Sequence, residues 1–72
     1  MTTVDKVKVK LQENTTTGAN THLIPSKNMR NWYKDELVFV REIVDNKVMV
    51  FRSMDGQLYF LANDDLINFK LL

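Results

Sequence analysis

The side chains that could do chemistry in this chain are few, and their spacing does not favour catalysis. Asp64 and Asp65 are adjacent carboxylates, but neighbours in a turn point apart, whereas acid–base catalysis needs groups that share one pocket. The chain has no cysteine and a single histidine, His22, so neither a thiolate nucleophile nor a Cys/His metal site is expected. A glycine-rich phosphate loop and a nucleophile elbow are also missing. We therefore expect no enzyme activity, no bound metal and no cofactor.

Aromatic and cationic side chains are instead concentrated in residues 28–34, N-M-R-N-W-Y-K. Arg30, Trp32, Tyr33 and Lys34 combine large contact area with polar groups, which is typical of interface hot spots. Trp32 has a second interpretation, as the plug of a small hydrophobic core. The segment predicts a binding surface, with Trp32 either in the core or at the interface.

Residues 4–11, V-D-K-V-K-V-K-L, alternate between apolar and basic side chains. The apolar set is Val7, Val9 and Leu11, and the basic set is Lys6, Lys8 and Lys10. This period of two predicts a half-buried β-strand with a row of lysines on its solvent face. Such a row is usually just solvated. Together with the aromatic segment, however, it would also suit phosphate contacts combined with base stacking.

Length and charge limit the partners. The 72 residues suffice for one domain, which we place over residues 1–72. The net charge of +1 is nearly balanced, with the basic excess in the first half of the chain. This distribution favours a protein partner with an acidic patch over nucleic acid, which remains the alternative.

The cellular setting is predicted mainly from missing features. The absence of cysteine fits a reducing, cytoplasmic location. The chain starts at Met1 without a charged region followed by an apolar run, so we expect no signal peptide and a complete small protein. No stretch approaches the roughly 18 apolar residues of a membrane helix, so no membrane association is expected.

Three further strands are predicted over residues 35–44, 47–53 and 57–61, which are rich in β-branched and aromatic residues. Asp45-Asn46 and Asp55-Gly56 separate them, and both pairs suit type I′ hairpin turns. Residues 14–20 lack periodicity and predict a loop. Residues 22–26 predict a short extended piece. A 3₁₀ turn at residues 62–66 then precedes a last short strand at residues 67–71.

This order of elements, a strand, a long connection, a three-stranded meander, a 3₁₀ turn and a final strand, resembles the SH3-like barrel from residue 4 to residue 71. The resemblance implies an all-β, five-stranded barrel with a long first connection. The chain lacks the A-L-Y-D-Y start and the paired tryptophans of signalling SH3 domains. Peptide-binding residues are therefore not carried over from that family.

The predicted core consists of apolar residues on the inward faces of these strands. Its members are Val7, Val9, Leu11, Val38, Val40, Val50, Leu58, Phe60, Ile67 and Phe69. In strand 47–53 the opposite face is apolar too, because Met49 and Phe51 alternate with Val48 and Val50. One of these faces is expected to be an interaction patch, to be the dimer face of a homodimer, or to be covered by residues 14–33.

These patterns favour a small non-catalytic protein-binding domain that acts as an adaptor or inhibitor. A phage or mobile-element origin is an expectation from this class of short stand-alone protein and not from particular residues. The binding surface of the domain would be formed by Arg30, Trp32, Tyr33 and Lys34 with the lysine row beside them. A nucleic-acid-binding barrel that uses the same cationic and aromatic surface is the alternative. A third possibility is a structural subunit that assembles through open strand edges.

Overall fold

The computed structural model describes residues 2–72, so Met1, interpreted above as a native start, lies outside the described residues. The elements in chain order are α1 (Thr3–Thr17), β1 (His22–Pro25), β2 (Val38–Val44), β3 (Lys47–Arg52), β4 (Gln57–Leu61), α2 (Asn63–Leu66) and β5 (Phe69–Leu71). The five strands form one antiparallel sheet in the order β4-β3-β2-β1-β5. The sheet does not close, since β4 and β5 remain its edges. A mostly β fold with five antiparallel strands is therefore confirmed, but an all-β closed barrel is not.

The first element differs from the prediction, because residues 4–11 lie in helix α1 and not in a strand. Capping at both ends explains the helix. At its start, Thr2 and Asp5 form a reciprocal capping box, with each backbone N–H donating to the other's side chain at 3.2 Å. At its end, Gly18 adopts a left-handed φ of 77° and closes the last turn. The predicted loop over residues 14–20 is correspondingly helical up to Thr17.

The apolar face of the helix is made of different residues from the apolar face predicted for a strand. Val4 and Val7 are buried and Leu11 packs against the same core, which is the spacing of one helix face. Val9, predicted to be in the core, is 43% exposed because it lies off this face. No helix in residues 2–72 is long and apolar enough to cross a membrane.

The lysine row is dispersed for the same reason. Lys6 and Lys10 are four residues apart and share one helix face, whereas Lys8 lies about 200° around the axis from Lys6, as expected from 3.6 residues per turn. The continuous row of cations predicted for a strand is therefore wrong.

The hydrophobic core lies between one face of the sheet and the two helices. Its buried members are Val4, Val7, Leu23, Val38, Val40, Val48, Val50, Leu61 and Leu66, and the partly buried side chains against them are Leu11, Trp32, Ile43, Tyr59 and Phe69. The predictions for Val7, Val38, Val40 and Val50 are thus confirmed, and Leu11 and Phe69 pack at the core's margin.

Leu58, Phe60 and Ile67 are exposed, contrary to the core prediction. In β4, Tyr59 and Leu61 pair with the buried Val50 and Val48. Since side chains alternate along a strand, Leu58 and Phe60 must point to the opposite face. Ile67 follows α2 and is 74% exposed, because Leu66 takes the buried position of that turn.

The two meander turns differ from each other. Asp45 and Asn46 have φ values of 50° and 59°, which confirms the predicted type I′ turn between β2 and β3. Gly56 has a φ of 69°, but Asp55 is not among the residues of positive φ. The β3–β4 connection is a four-residue loop over residues 53–56, in which the Gly56 N–H donates to the Arg52 carbonyl at 2.9 Å. The predicted two-residue type I′ turn at Asp55-Gly56 is therefore wrong.

Candidate functional site

A buried ion pair connects the end of β3 to the long connection between β1 and β2. Arg52 continues the inward alternation of Val48 and Val50, so the strand directs its side chain to the core side of the sheet. Its Nε donates to Glu36 Oε1 at 2.7 Å and its Nη2 donates to Glu36 Oε2 at 2.9 Å. The two side chains are only 9% and 7% exposed. This bidentate geometry is the strongest form of the Arg–carboxylate interaction.

Glu36 also fixes the connection that carries the predicted binding residues. Its Oε2 accepts the Tyr33 backbone N–H at 2.6 Å. Nearby, the Lys34 N–H donates to Asn28 Oδ1 at 2.8 Å, and the Met29 N–H donates to the Trp32 carbonyl at 2.8 Å. Residues 28–36 therefore form a loop with its own internal hydrogen bonds, tied to the sheet through Arg52.

Aromatic rings surround the Arg52 guanidinium. Its Cζ lies 4.9 Å from the Trp32 ring centroid and 5.9 Å from that of Tyr33, which is cation–π geometry. The Trp32 ring makes edge contacts with Tyr59 at 5.1 Å and Phe69 at 5.2 Å. Trp32 therefore packs against the core and supports the loop from behind.

A second carboxylate completes the charge arrangement. Asp55 lies 3.6 Å from Arg52 Nη1 and accepts a short hydrogen bond from the Tyr59 hydroxyl. This hydrogen bond lowers the pKa of Asp55 and raises the pKa of Tyr59. The hydrogen bonds to Glu36 raise the pKa of Arg52 above its ordinary value. The Arg52 guanidinium thus lies between the carboxyl groups of Glu36 and Asp55.

Arg52, Tyr33 and Tyr59 face a solvent-open cleft of about 490 Å³ between the connection and the β3–β4 loop. The cleft is lined by Arg30, Asn31, Tyr33, Arg52, Met54 and Tyr59. Tyr33 and Met54 are 59% and 61% exposed. Arg30 is also exposed and makes no ion pair within residues 2–72. The cleft therefore offers solvent an aromatic ring, a thioether and an uncompensated guanidinium.

The structure separates the predicted site residues into groups. Arg30 and Tyr33 line the cleft, and Trp32 lies behind it. Lys34 is exposed on the same loop but is not among the lining residues.

The predicted lysines of the first segment are not part of the cleft. They are Lys6, Lys8 and Lys10. All belong to α1, which packs against β2, β3 and α2. Helix formation thus removes the strand face on which these lysines were predicted to form a row.

Sequence reasoning missed Glu36, Arg52, Met54 and Tyr59 as parts of this site. One signal was present for Arg52. It occupies the inward position after Val48 and Val50, and a charged residue on a core-facing position requires a partner.

A second feature is the sheet face opposite the helices, which we call the open face. Phe39, Phe51 and Leu58 are paired across β2, β3 and β4, and Met49 and Phe60 form the adjacent pair. Leu58 and Phe60 are each 54% exposed. The doubly apolar strand expected from the sequence is therefore confirmed, and its second face is left partly exposed at the β4 edge.

Comparison with known proteins gives no family assignment: no protein-family model, curated protein or solved structure matches this chain. Within residues 2–72, no three His, Asp, Glu or Cys side chains are grouped as metal ligands would be. The functional inference therefore rests on the cleft and the open face themselves.

Proposed function

We propose that this chain is a small non-catalytic protein-binding domain, an adaptor or inhibitor, that holds a segment of its partner in the cleft beside Arg30 and Tyr33. The observation that carries the proposal is the exposure of Arg30, Tyr33 and Met54 around one cleft whose floor is fixed by the buried Arg52–Glu36 pair. Binding residues commonly lie on loops positioned by a rigid scaffold.

Rigidity of the floor favours binding. The connection is anchored by the Glu36 contact to the Tyr33 N–H and by the stacking of Arg52 on Trp32. A surface that is ordered before binding loses less conformational entropy when the partner arrives. The cleft volume of about 490 Å³ is also within the usual range of ligand sites, about 300–1,000 Å³.

The exposed groups define the chemistry of the partner. The uncompensated Arg30 guanidinium suits a carboxylate, which it can bind through two parallel hydrogen bonds. Tyr33 and Met54 offer apolar area beside it, of the kind found at the centre of protein interfaces. The complementary segment carries an Asp or Glu next to an aromatic or aliphatic side chain.

We further propose that the sheet is related to the SH3-like barrels. In support, β1 is followed by a long connection, the β2–β4 meander, a single helical turn and β5. The first strand of this scheme is His22–Pro25 and not residues 4–11, and α1 is added before it.

The test is selection from a displayed peptide library, followed by titration of a selected synthetic peptide. We expect selected peptides to combine an acidic residue with an adjacent apolar one. Replacing Arg30 and Tyr33 together, Arg30→Ala with Tyr33→Ala, should abolish binding and leave the fold intact, because both side chains are exposed. The matched control is Lys27→Ala, an exposed cation of the same connection that does not line the cleft. Equal binding by the double variant and the control would contradict the proposal.

Nucleic acid is the competing class of partner. It is favoured by the open face, where Arg41 lies 5.2 Å from the Phe51 ring centroid and Phe60 is exposed, a combination that suits stacking of single-stranded bases. The dispersal of the lysines on α1 weakens it. Titration with single-stranded oligonucleotides at two salt concentrations separates the classes, since phosphate binding weakens steeply with salt.

A further inference from the structure

Strand β4 is an edge of the sheet, and two of its residues direct their backbone N–H and C=O groups toward solvent. The hydrogen-bonding pattern of the hairpins shows which two. Val44 and Lys47 close the two-residue turn between β2 and β3, which makes them a hydrogen-bonded pair. Along β3, alternate residues bond to opposite neighbours, so Val48 and its inward-facing successors bond to β4. The Val40 N–H, which donates to the Thr21 carbonyl at 2.9 Å, agrees with this alternation on β2.

The residues of β4 that bond to β3 are therefore Gln57, Tyr59 and Leu61. Leu58 and Phe60 consequently direct their N–H and C=O groups away from the sheet, toward solvent. β4 carries no charged side chain and no proline, the residues that usually prevent another strand from pairing with an exposed edge. This edge is unprotected.

At the other edge, β5, the residues whose backbone groups point outward have their side chains on the core side of the sheet, unlike those of β4. The Leu72 N–H donates to His22 O at 3.0 Å, so Phe69 and Leu71 are the residues with outward backbone groups. They pair with the buried Pro25 and Leu23, so their side chains belong to the core side of the sheet.

Two copies can be joined edge to edge in three ways, which differ in whether the open faces of the two sheets lie on the same side and in whether like charges meet. Paired residues on adjacent strands project to the same face, so β4 against β5 would join the open face of one copy to the core side of the other. β5 against β5 preserves the faces, but in the register centred on the middle of the strand it places Lys70 opposite Lys70, which is destabilising. β4 against β4 preserves the faces and has the uncharged Tyr59 at its centre.

We propose that a second copy of this chain occupies the β4 edge, in a two-fold symmetric antiparallel pair centred on Tyr59. In this register Leu58 of each copy is hydrogen-bonded to Phe60 of the other through both backbone groups. The same pairing brings Leu58 and Phe60 of both copies, each 54% exposed in the single chain, into one apolar cluster on the open face. The result is a continuous ten-stranded sheet, because each copy contributes the five strands of its own sheet. A dimer with a single two-fold interface is a closed assembly.

Sedimentation equilibrium over a range of concentrations tests this proposal with the full chain. We expect a monomer–dimer equilibrium, and Leu58→Pro should raise the dimer dissociation constant at least about tenfold because proline removes an outward donor. No hydrogen bond within the chain is lost in that variant. A second pair of variants tests the apolar contact. Phe60→Lys is compared with the control Ile67→Lys, which replaces a more exposed apolar side chain outside β4. Only Phe60→Lys should weaken the dimer. A monomer at every concentration, a larger ring, or a dimer insensitive to Leu58→Pro and Phe60→Lys would overturn the proposal.

Cross-linking tests the register directly, because the chain has no cysteine of its own that could compete. In the proposed pairing, Leu58 faces Phe60 of the second copy with Cα atoms about 5.5 Å apart, within the disulfide range. Mild oxidation of the double variant Leu58→Cys with Phe60→Cys should give a covalent dimer, and either single variant should give far less. Equal yields from a single variant, or none from the double variant, would contradict the register. The cleft variants Arg30→Ala and Tyr33→Ala should leave dimerisation unchanged, so this proposal and the proposed function can fail separately.

Discussion

Arg52 and Glu36 form a bidentate ion pair that is almost entirely removed from solvent and joins strand β3 to the connection bearing the cleft residues. The same guanidinium contacts the Trp32 ring, and the same carboxylate accepts the Tyr33 N–H. The Arg52–Glu36 pair therefore holds both Trp32 at the margin of the core and the backbone of the cleft loop at Tyr33.

Glu36→Gln should destabilise the protein by about 3 kcal/mol, because the buried Arg52 charge loses its bidentate partner and keeps only the longer contact to Asp55, 3.6 Å from its Nη1. The measurement is urea unfolding followed by tryptophan fluorescence, which reports directly on Trp32. Glu42→Gln, an exposed acid of β2, is the control and should change the free energy of unfolding by less than about 0.5 kcal/mol. Similar losses in the two variants would show that the Arg52–Glu36 pair has no special structural role.

Thr2→Ala should destabilise helix α1, since the Thr2 side chain accepts the Asp5 N–H in the capping box. The expected cost is about 1 kcal/mol, measured as a loss of stability together with reduced helical ellipticity. Thr16→Ala is the control, because Thr16 lies inside the helix and its hydroxyl donates to the Gln12 carbonyl. If the two variants behaved alike, the capping explanation for α1 would be wrong.

The helix was missed because residues 4–11 fit two patterns. Alternation of valine and lysine predicts a strand, but Val4, Val7 and Leu11 also have the spacing of a helix face. Thr2 and Gly18, which cap the two ends of the helix, lie outside that segment and favour the helix. By contrast, the β2–β4 meander followed from its sequence, because β-branched runs and the Asp45-Asn46 turn indicate the same structure.

The cleft was predictable only in part. The composition of residues 28–34 indicated Arg30 and Tyr33, which both line it. The side of the cleft formed by Arg52, Met54 and Tyr59 depends on the pairing of Arg52 with Glu36, 16 residues earlier. It also depends on the loop over residues 53–56, which was predicted as a two-residue turn. Local patterns do not specify which distant carboxylate a buried arginine will contact.

The Tyr59–Asp55 hydrogen bond should make stability depend on pH in two windows. The folded state lowers the pKa of Asp55, so this contribution is present at neutral pH and is lost as pH falls below about 4. It raises the pKa of Tyr59, so the contribution is lost again as pH rises above about 10. The stability difference between wild type and Tyr59→Phe, from urea unfolding, should be constant between these limits and shrink beyond each. A difference that stayed constant across the whole range would exclude this hydrogen bond as its source.

Gly56→Ala should destabilise by roughly 1–2 kcal/mol, the cost of a left-handed conformation for a residue with a Cβ. The added Cβ would meet no atom within 4 Å, so the loss comes from the backbone φ of 69°. Asn46→Gly is the comparison, because Asn46 already adopts a φ of 59° and glycine accepts this conformation readily. Thermal unfolding should show a lower midpoint for Gly56→Ala alone. Equal midpoints would place the Gly56 loop in another conformation.

The most direct test of cleft binding is an amide chemical-shift map of the ¹⁵N-labelled domain titrated with a selected acidic–apolar peptide. We predict the largest shifts at residues 30–33 and 54–59, which contain the exposed cleft-lining groups, and none of these shifts in the variant with Arg30→Ala and Tyr33→Ala. Shifts centred instead on Phe39, Phe51 and Phe60 of the open face, or shifts that persist in the double variant, would contradict the assignment of the binding site to the cleft.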